Sequence, residues 1–188
     1  MLEVRRDGQP VTALARPMAL RHATRADADA LAAFAAQAFW DTYRDIDDPV
    51  ELADHIAQHL QPAAFAASIA DPRSTTLLAE IDAQLAGYTQ IRVGTAPSCV
   101  SGPAPVELAR LYLGQSFIGQ GHGAALMRAA QAEALRRGGR TLWLGVYDRN
   151  TRAVRFYERF GFTRVGGQEF LFGGRVYVDP IYAVALQA

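Results

Sequence analysis

Gly119, Gly121 and Gly123 occupy three of five consecutive positions in the stretch SFIGQGHGAALMRAAQAEALRRGG, residues 116–139, directly before an alanine-rich helical segment. Glycine weakens a helix by about 0.5–1 kcal/mol relative to alanine, so its use here must answer a need for positive φ or for close approach of another group to the backbone. A helix start presents unpaired N–H groups and a partial positive charge. Glycine loop and helix start together form a seat for a phosphate group. A strand–loop–helix unit with this geometry is therefore the fixed point around which the rest of the chain is read.

Around that unit the order of elements is irregular. MALRHA reads as a strand, and TRAD is a capping signature with Thr24 as N-cap and Asp27 three residues later. Leu31, Phe34, Ala35 and Ala38 then mark the buried face of a helix. Pro49 and Pro62 each open a further helix. STTLLAEI and LAGYTQIRV, joined by DAQ, read as a hairpin. In VELARLYL, alternation predicts Val106, Leu108 and Arg110 on one face and Glu107, Ala109 and Leu111 on the other. TLWLGVYD is a strand, TRAVRFYERF a helix capped at Asn150 or Thr151 with Gly161 beyond its end, and FTRVGG, QEFLF and RVYVDPIYAVAL close the chain as strands. Pro180 marks a bulge or an edge. Such an order predicts one α/β domain with a mixed central sheet of about six to seven strands flanked by helices, not regular βαβ alternation.

Composition narrows the function. Lys plus Arg equals Asp plus Glu at 19 each, and no basic excess points to nucleic acid. The one cysteine, Cys99, excludes an intramolecular disulfide and fits a reducing compartment. It has no neighbouring base in sequence to make it a nucleophile. No apolar run has the length of a membrane span, and the N-terminus has no apolar signal core. The expectation is a cytoplasmic protein without membrane or nucleic-acid partners. Arg136, Arg137 and Arg140 read either as a solvated helix end or as help for an anion. Glu51, His55 and His59 share a helix face, but no further ligand accompanies them and no metal is expected.

Three phosphate ligands compete for the loop. A nucleoside triphosphate loop needs a lysine and a Ser/Thr after its second glycine, and GQGHGAAL has neither. GQGHGA does match a dinucleotide fingerprint, with Asp148 ending the next strand. Only about forty residues follow that strand, too few for the remaining units of a doubly wound sheet. Coenzyme A is the third.

Here a resemblance carries the reading further. QSFIGQGHGAALM followed by LWLGVYDRNTRAVRFYERFGF resembles the GCN5-related N-acetyltransferases, the GNAT superfamily. Their pattern N-x-x-A-x-x-x-Y-x-x-x-G-F is met by Asn150, Ala153, Tyr157, Gly161 and Phe162. AFWDTY, DPRSTTLLAEIDAQLAGY, ELARLYL and the tail EFLFG…D are similar to the Pai-type bacterial polyamine N-acetyltransferases. The likeness divides the chain into a leader, residues 1–18, with Met18 as an alternative start, and a GNAT domain, residues 19–188. Two departures stand out. The first loop position, Arg or Gln in the family, is Ile118. Gly173, Gly174 and Arg175 replace the acids that precede the last strand in the Pai-type tail, leaving Asp179. That turns the expected acceptor from a polyamine toward a singly charged amine, an amino-acid-like amine or a peptide N-terminus.

The resemblance implies direct acetyl transfer from acetyl-CoA to a primary amine (small amine, polyamine or peptide amine) in a ternary complex. A coenzyme-A-binding regulatory module without turnover is the alternative. Implied for the coenzyme are the strand residues Leu111, Tyr112 and Leu113, the loop residues Ile118, Gly119, Gln120, Gly121, His122, Gly123 and Ala124, and Asn150 and Tyr157. Tyr157 would meet the leaving thiolate, or else be one more core aromatic beside Phe156 and Phe160. Glu107 is the candidate base, or else a salt-bridged strand glutamate. An alkylammonium of pKa ~10.4 costs about 4–5 kcal/mol to deprotonate at neutral pH, so a base has work to do. Trp40, Asp41, Tyr43 and Asp179 are the candidate acceptor contacts, from a cluster with Asp45, Asp47 and Asp48 that reads equally as a solvated loop. A homodimer is left open.

Overall fold

The computed structural model describes residues 17–172 and 174–187, with the side chains of Phe170, Leu171 and Arg175 outside that description. Most of the leader, residues 1–16, therefore lies outside the described residues, while Met18 already belongs to the first strand. The elements are β1 (Met18–His22), α1 (Ala28–Tyr43), α2 (Pro49–His59), α3 (Pro62–Ala70), β2 (Ser74–Ile81), β3 (Gln84–Val93), β4 (Pro105–Leu113), α4 (His122–Arg136), β5 (Thr141–Gly145), α5 (Thr151–Arg159), β6 (Thr163–Phe172) and β7 (Arg175–Ala185). The strands form one sheet in the order β1-β2-β3-β4-β5-β7-β6. Every neighbouring pair is antiparallel except β4 and β5. FTRVGG and QEFLF, read from sequence as separate strands, run together as β6.

Local chemistry sets the element ends. The Asp27 carboxylate accepts from the Thr24 backbone N–H at 2.7 Å and from its hydroxyl at 2.8 Å, and a short 3₁₀ turn leads into α1. Asp48 caps α2 by accepting from Val50 N–H at 2.8 Å, ahead of Pro49 at the first helical position. Asp82 and Ala83, at φ of 51° and 60°, make the two-residue turn between β2 and β3. Both central residues at positive φ suit the right-handed twist of a hairpin.

Two apolar layers sandwich the sheet. On one face α1 and α3 bring Leu31, Ala35 and Phe65 against Leu78 and Tyr88. On the other, α4 and α5 cover Leu108, Leu142, Leu144 and Phe162, with Met127 fully buried between them. Full burial of one such aliphatic or aromatic side chain contributes roughly 1.5–3 kcal/mol. Pro180 is on neither edge, since β7 lies between β5 and β6. It falls one residue beyond Ile181, the last β7 residue that β5 pairs, so its missing N–H breaks no bond of that ladder.

The centre of the sheet carries the two irregularities that make a site. First, β4 contains one extra residue. Ile91 pairs with Leu108 and Gln90 with Arg110, so Ala109 is bulged out. This overturns the simple alternation read from sequence. Val106, Leu108 and Leu111 join the α4/α5 layer, whereas Tyr112 packs in the α1/α3 layer and Arg110 lies over Phe65 there. Second, β4 and β5 pair only through Pro105–Glu107 and Thr141–Trp143. Beyond Glu107, β4 has β3 on one side and no strand on the other, and the sheet parts.

Candidate active site

A cleft of about 580 Å³ occupies the parting of β4 and β5 and reaches both layers. One wall is the edge of β4, Leu108 to Leu113. The opposite wall is Gly145, Val146 and Tyr147 at the end of β5. Phe39, Thr42, Tyr43 and His55 close it from the α1/α2 side, and Ala153, Phe156 and Tyr157 from α5.

The glycine loop forms one end. Gly119 and Gly121 have φ of 83° and 86°, values that side-chain-bearing residues rarely adopt, and nothing lies within 4 Å of where a Cβ would stand on either. Gly121 is the N-cap of α4, and its carbonyl accepts from Ala124 and Ala125 N–H. The preceding N–H groups of the first turn are the helix's orphan donors. Gly123 is different: a Cβ there would meet Leu113 at 3.3 Å and Phe156 at 3.5 Å, so this glycine lets helix and strand approach.

Ile118, Gly119, Gly121, Gly123 and Ala124 line the cleft, as do Leu111, Tyr112, Leu113, Asn150 and Tyr157. The side chains of Gln120 and His122 do not. Gln120 donates to Ser116 O at 2.7 Å, bracing the loop, and His122 is buried edge-on to Phe117. Arg136 and Arg137, considered above as anion ligands, are engaged elsewhere: Arg136 with Glu133, Arg137 with Thr75 and the Pro72 carbonyl. Sequence reading passed over two cations that do line the cleft, Arg152 and Arg159 of α5. They stand at i and i+7 with Phe156 between, a helical spacing that could have revealed them.

Three phenols meet in the middle. Burial raises the pKa of Tyr157, Tyr112 and Tyr43, and the three are close enough to act on one another. Each therefore keeps its proton at neutral pH. Tyr157 packs edge-on to Phe156 and Phe162 at 5.5 and 5.8 Å. Its ring belongs to the α5 packing while its position belongs to the cleft, so the packing is compatible with a role for the hydroxyl. The Asn150 carboxamide caps α5 by accepting from Ala153 N–H at 3.1 Å, and hydrogen bonding between Asn150 and Tyr43 works against the rise in the Tyr43 pKa.

On the far side, Tyr43, Asp47 and Asp179 face the cleft, and Trp40 and Asp41 do not. The Asp41 carboxylate accepts from Gln37 at 3.0 Å. Of the rest of that acidic cluster, Asp48 serves as the α2 cap and Asp45 is exposed. Asp179 has its pKa raised by burial and by Asp148. Glu107 lies just before the parting and is not part of the lining. It pairs with Arg92 at 3.6 Å, and burial raises its pKa against the pull of Arg92 and Arg110. His55 stacks on Phe39 at 4.8 Å, beside His59, and burial takes its pKa down to about 4. No group of three or more metal-ligating side chains is present among the described residues. None of their helices is long and apolar enough to cross a membrane.

A sheet parted after three parallel pairs, with a glycine-led helix start at one end of the gap and a helix phenol in the middle, is a highly specific arrangement. Residues 33–162 match the sequence profile of the acetyltransferase (GNAT) family. The chain belongs to that family. It is accordingly an enzyme of the acyltransferase class. Among GNAT relatives, an uncharacterized N-acetyltransferase of Mycobacterium tuberculosis is 37% identical over 147 residues, 78% of this chain and 90% of that one. The N-alpha-acetyltransferase RimI of the same organism is 32% identical over 157 residues, 83% and 85% of the two chains. In fold, the chain is similar to the PaiA N-acetyltransferase of Thermoplasma acidophilum, solved in complex with coenzyme A. The TM-score is 0.73 at 20% identity, covering 90% of this chain and 99% of that one.

Proposed function

We propose that this GNAT enzyme transfers acetyl from acetyl-CoA directly to a primary amine, with both substrates bound at once. The observation that carries the reading is the parting of β4 and β5, which opens one continuous cleft from the glycine loop to the acidic far wall. Two substrates entering from opposite layers can meet there without a covalent enzyme intermediate.

The residues fit the coenzyme. No described protein atom lies within 4 Å of a Cβ position on Gly119 or Gly121, the orphan N–H groups of the α4 start follow directly, and Arg152 and Arg159 add positive charge to the cleft lining. The strandless edge of β4 offers backbone groups to an extended arm at Leu111, Tyr112 and Leu113. Acetyl-CoA supplies the acetyl group already activated as a thioester. A β4 N–H at the parting polarises the carbonyl, a role whose removal in known cases costs about 2.7–4 kcal/mol. Tyr157, protonated throughout the neutral range, donates a hydrogen bond that tightens as the sulfur becomes anionic. The acids Asp47 and Asp179 draw an ammonium into the far wall. Glu107, with its raised pKa, takes the amine proton through water.

Purified protein, acetyl-CoA and a panel of primary amines test the reading by free-thiol release and by the mass of the acetylated product. Intersecting initial-velocity lines are expected. Parallel lines would replace the ternary complex with an acetylated enzyme. Coenzyme A binding without turnover on any amine would remove the transferase activity.

A further inference from the structure

A side pocket opens from the far wall of the cleft, sharing Ala109, Arg110 and Tyr112 with it and running in beside Tyr88. Two of its polar groups are incompletely used. Arg110 donates from Nη1 to Gln90 Oε1 at 2.9 Å, and its guanidinium lies 5.2 Å from the Phe65 ring centroid. Gln90 is itself fixed, donating to Ser68 and Thr76 at 2.7 and 2.9 Å. Arg110 is thus held in place by neutral partners. Among the described residues it has no carboxylate in salt-bridge range, since neighbouring Glu107 pairs with Arg92. Tyr88 is fully buried, and among the described residues its hydroxyl has no hydrogen-bond partner. Burial pushes that phenol's pKa up, opposed by the nearby Arg110 charge. An orphaned buried hydroxyl costs about 1–3 kcal/mol, and a guanidinium retains four N–H donors after one is used.

We infer that the acceptor carries a carboxylate as well as its amine, and that Arg110 and the Tyr88 hydroxyl hold that carboxylate in the side pocket. The inference rests on the transferase reading above and names its acceptor class: an amino-acid-like zwitterion. A guanidinium with free N–H groups pairs with a carboxylate in a forked geometry. With the carboxylate there, the amine is left in the main cleft, where the acids Asp47 and Asp179 face it. Phe39 and Tyr112 line the side pocket together with His55 and His59. A polyamine would instead put an ammonium beside Arg110, which disfavours it.

Matched acceptors test this: phenylalanine against phenethylamine, and leucine against isoamylamine, each pair differing only in the carboxylate. Thiol release gives the ratio of kcat/KM within each pair. Calorimetric titration gives the affinity of the two acids for the coenzyme-A-loaded protein. At least a tenfold preference for the acid is expected, falling toward one in Arg110→Gln and partly retained in Arg110→Lys. Tyr88→Phe separates recognition from folding, because removing an orphan hydroxyl leaves stability unchanged or higher, yet the acid preference falls severalfold. Turnover of both members at a ratio of one or below overturns the carboxylate site and leaves the transferase intact. Arg110-dependent acid binding without turnover on any amine upholds the site and removes the transferase. Loss of neither binding nor preference in Arg110→Gln and Tyr88→Phe assigns the carboxylate elsewhere and overturns the inference.

Discussion

The Tyr147 hydroxyl donates to the Asp47 carboxylate at 2.9 Å, joining residues a hundred positions apart across the cleft. Tyr147 follows β5 and Asp47 precedes α2, so this single bond ties the parted half of the sheet to the helices of the far wall. Burial and the Asp47 carboxylate hold the Tyr147 phenol at a pKa of about 12, so the proton stays on the donor. Tyr147→Phe should cost about 1 kcal/mol, below the usual ~1.5–3 for a bond to a charged acceptor because the pair is only part-buried. For a domain of this size that lowers Tm by about 2–4 °C. Acceptor KM should rise with kcat little changed; a scan and steady-state kinetics on the same sample check both.

Tyr157→Phe keeps the ring packed against Phe156 and Phe162 and removes only the hydroxyl. We expect kcat to fall on the order of 10²-fold with coenzyme A affinity unchanged. Because the phenol's pKa is raised, the wild-type rate should show no alkaline decline from this group below pH 10. Wild-type turnover in the variant would leave Tyr157 a packing residue.

The loop prediction needs a control for strain. Gly121 and Gly138 have nearly the same φ, 86° and 82°, and both have open space where a Cβ would stand. Alanine at either should cost a similar 1–2 kcal/mol. Gly138 follows the C-terminus of α4, away from the cleft. Only Gly121→Ala should weaken coenzyme A binding, measured by calorimetry. Ile118→Arg should tighten it, with the gain shrinking at high salt.

Acid stability has a separable contribution from His55. Its folded pKa of about 4 is below the unfolded ~6.5, so the unfolded chain binds the proton first. Stability is full above pH ~6.5 and declines as pH falls toward 4. Discounted for its half exposure, the loss is about 1–2 kcal/mol. His55→Phe, which preserves stacking on Phe39, should flatten that window in denaturant melts. The Arg21–Asp27 pair acts in a different window: with its carboxylate pKa depressed, its contribution is present above pH ~4 and is lost below it.

What could be read in the sequence was local. Thr24 and Asp27, Pro49, Pro62, the glycine loop and the Asn150 cap announce their structures within four residues, and each element forms where its signal stands. The cleft's composition depended on relations that no window contains. Tyr147 and Asp47 meet only after the sheet closes. Arg136 and Arg137 read as available beside the loop but turn to Glu133 and Thr75, whereas Arg152 and Arg159 reach the cleft from the next helix. His122 was legible as a loop residue, yet its ring turns inward because the helix start exposes its backbone, not its side chain.

Ala109 makes β4 a strand of two opposite parities. Upstream of it even-numbered residues face α4 and α5; downstream, odd-numbered residues do. With that one small residue left out of the ladder, Leu108 and Leu111 serve the same layer while Arg110 and Tyr112 serve the other. Deleting Ala109 would leave those addresses unchanged, because Leu108 and Arg110 already pair with successive residues of β3; drawing Ala109 into the ladder would instead deliver the guanidinium into the α4/α5 layer and Leu111 into the α1/α3 layer. The two layers of the cleft are thus told apart by which residues of one strand are paired and which one is not.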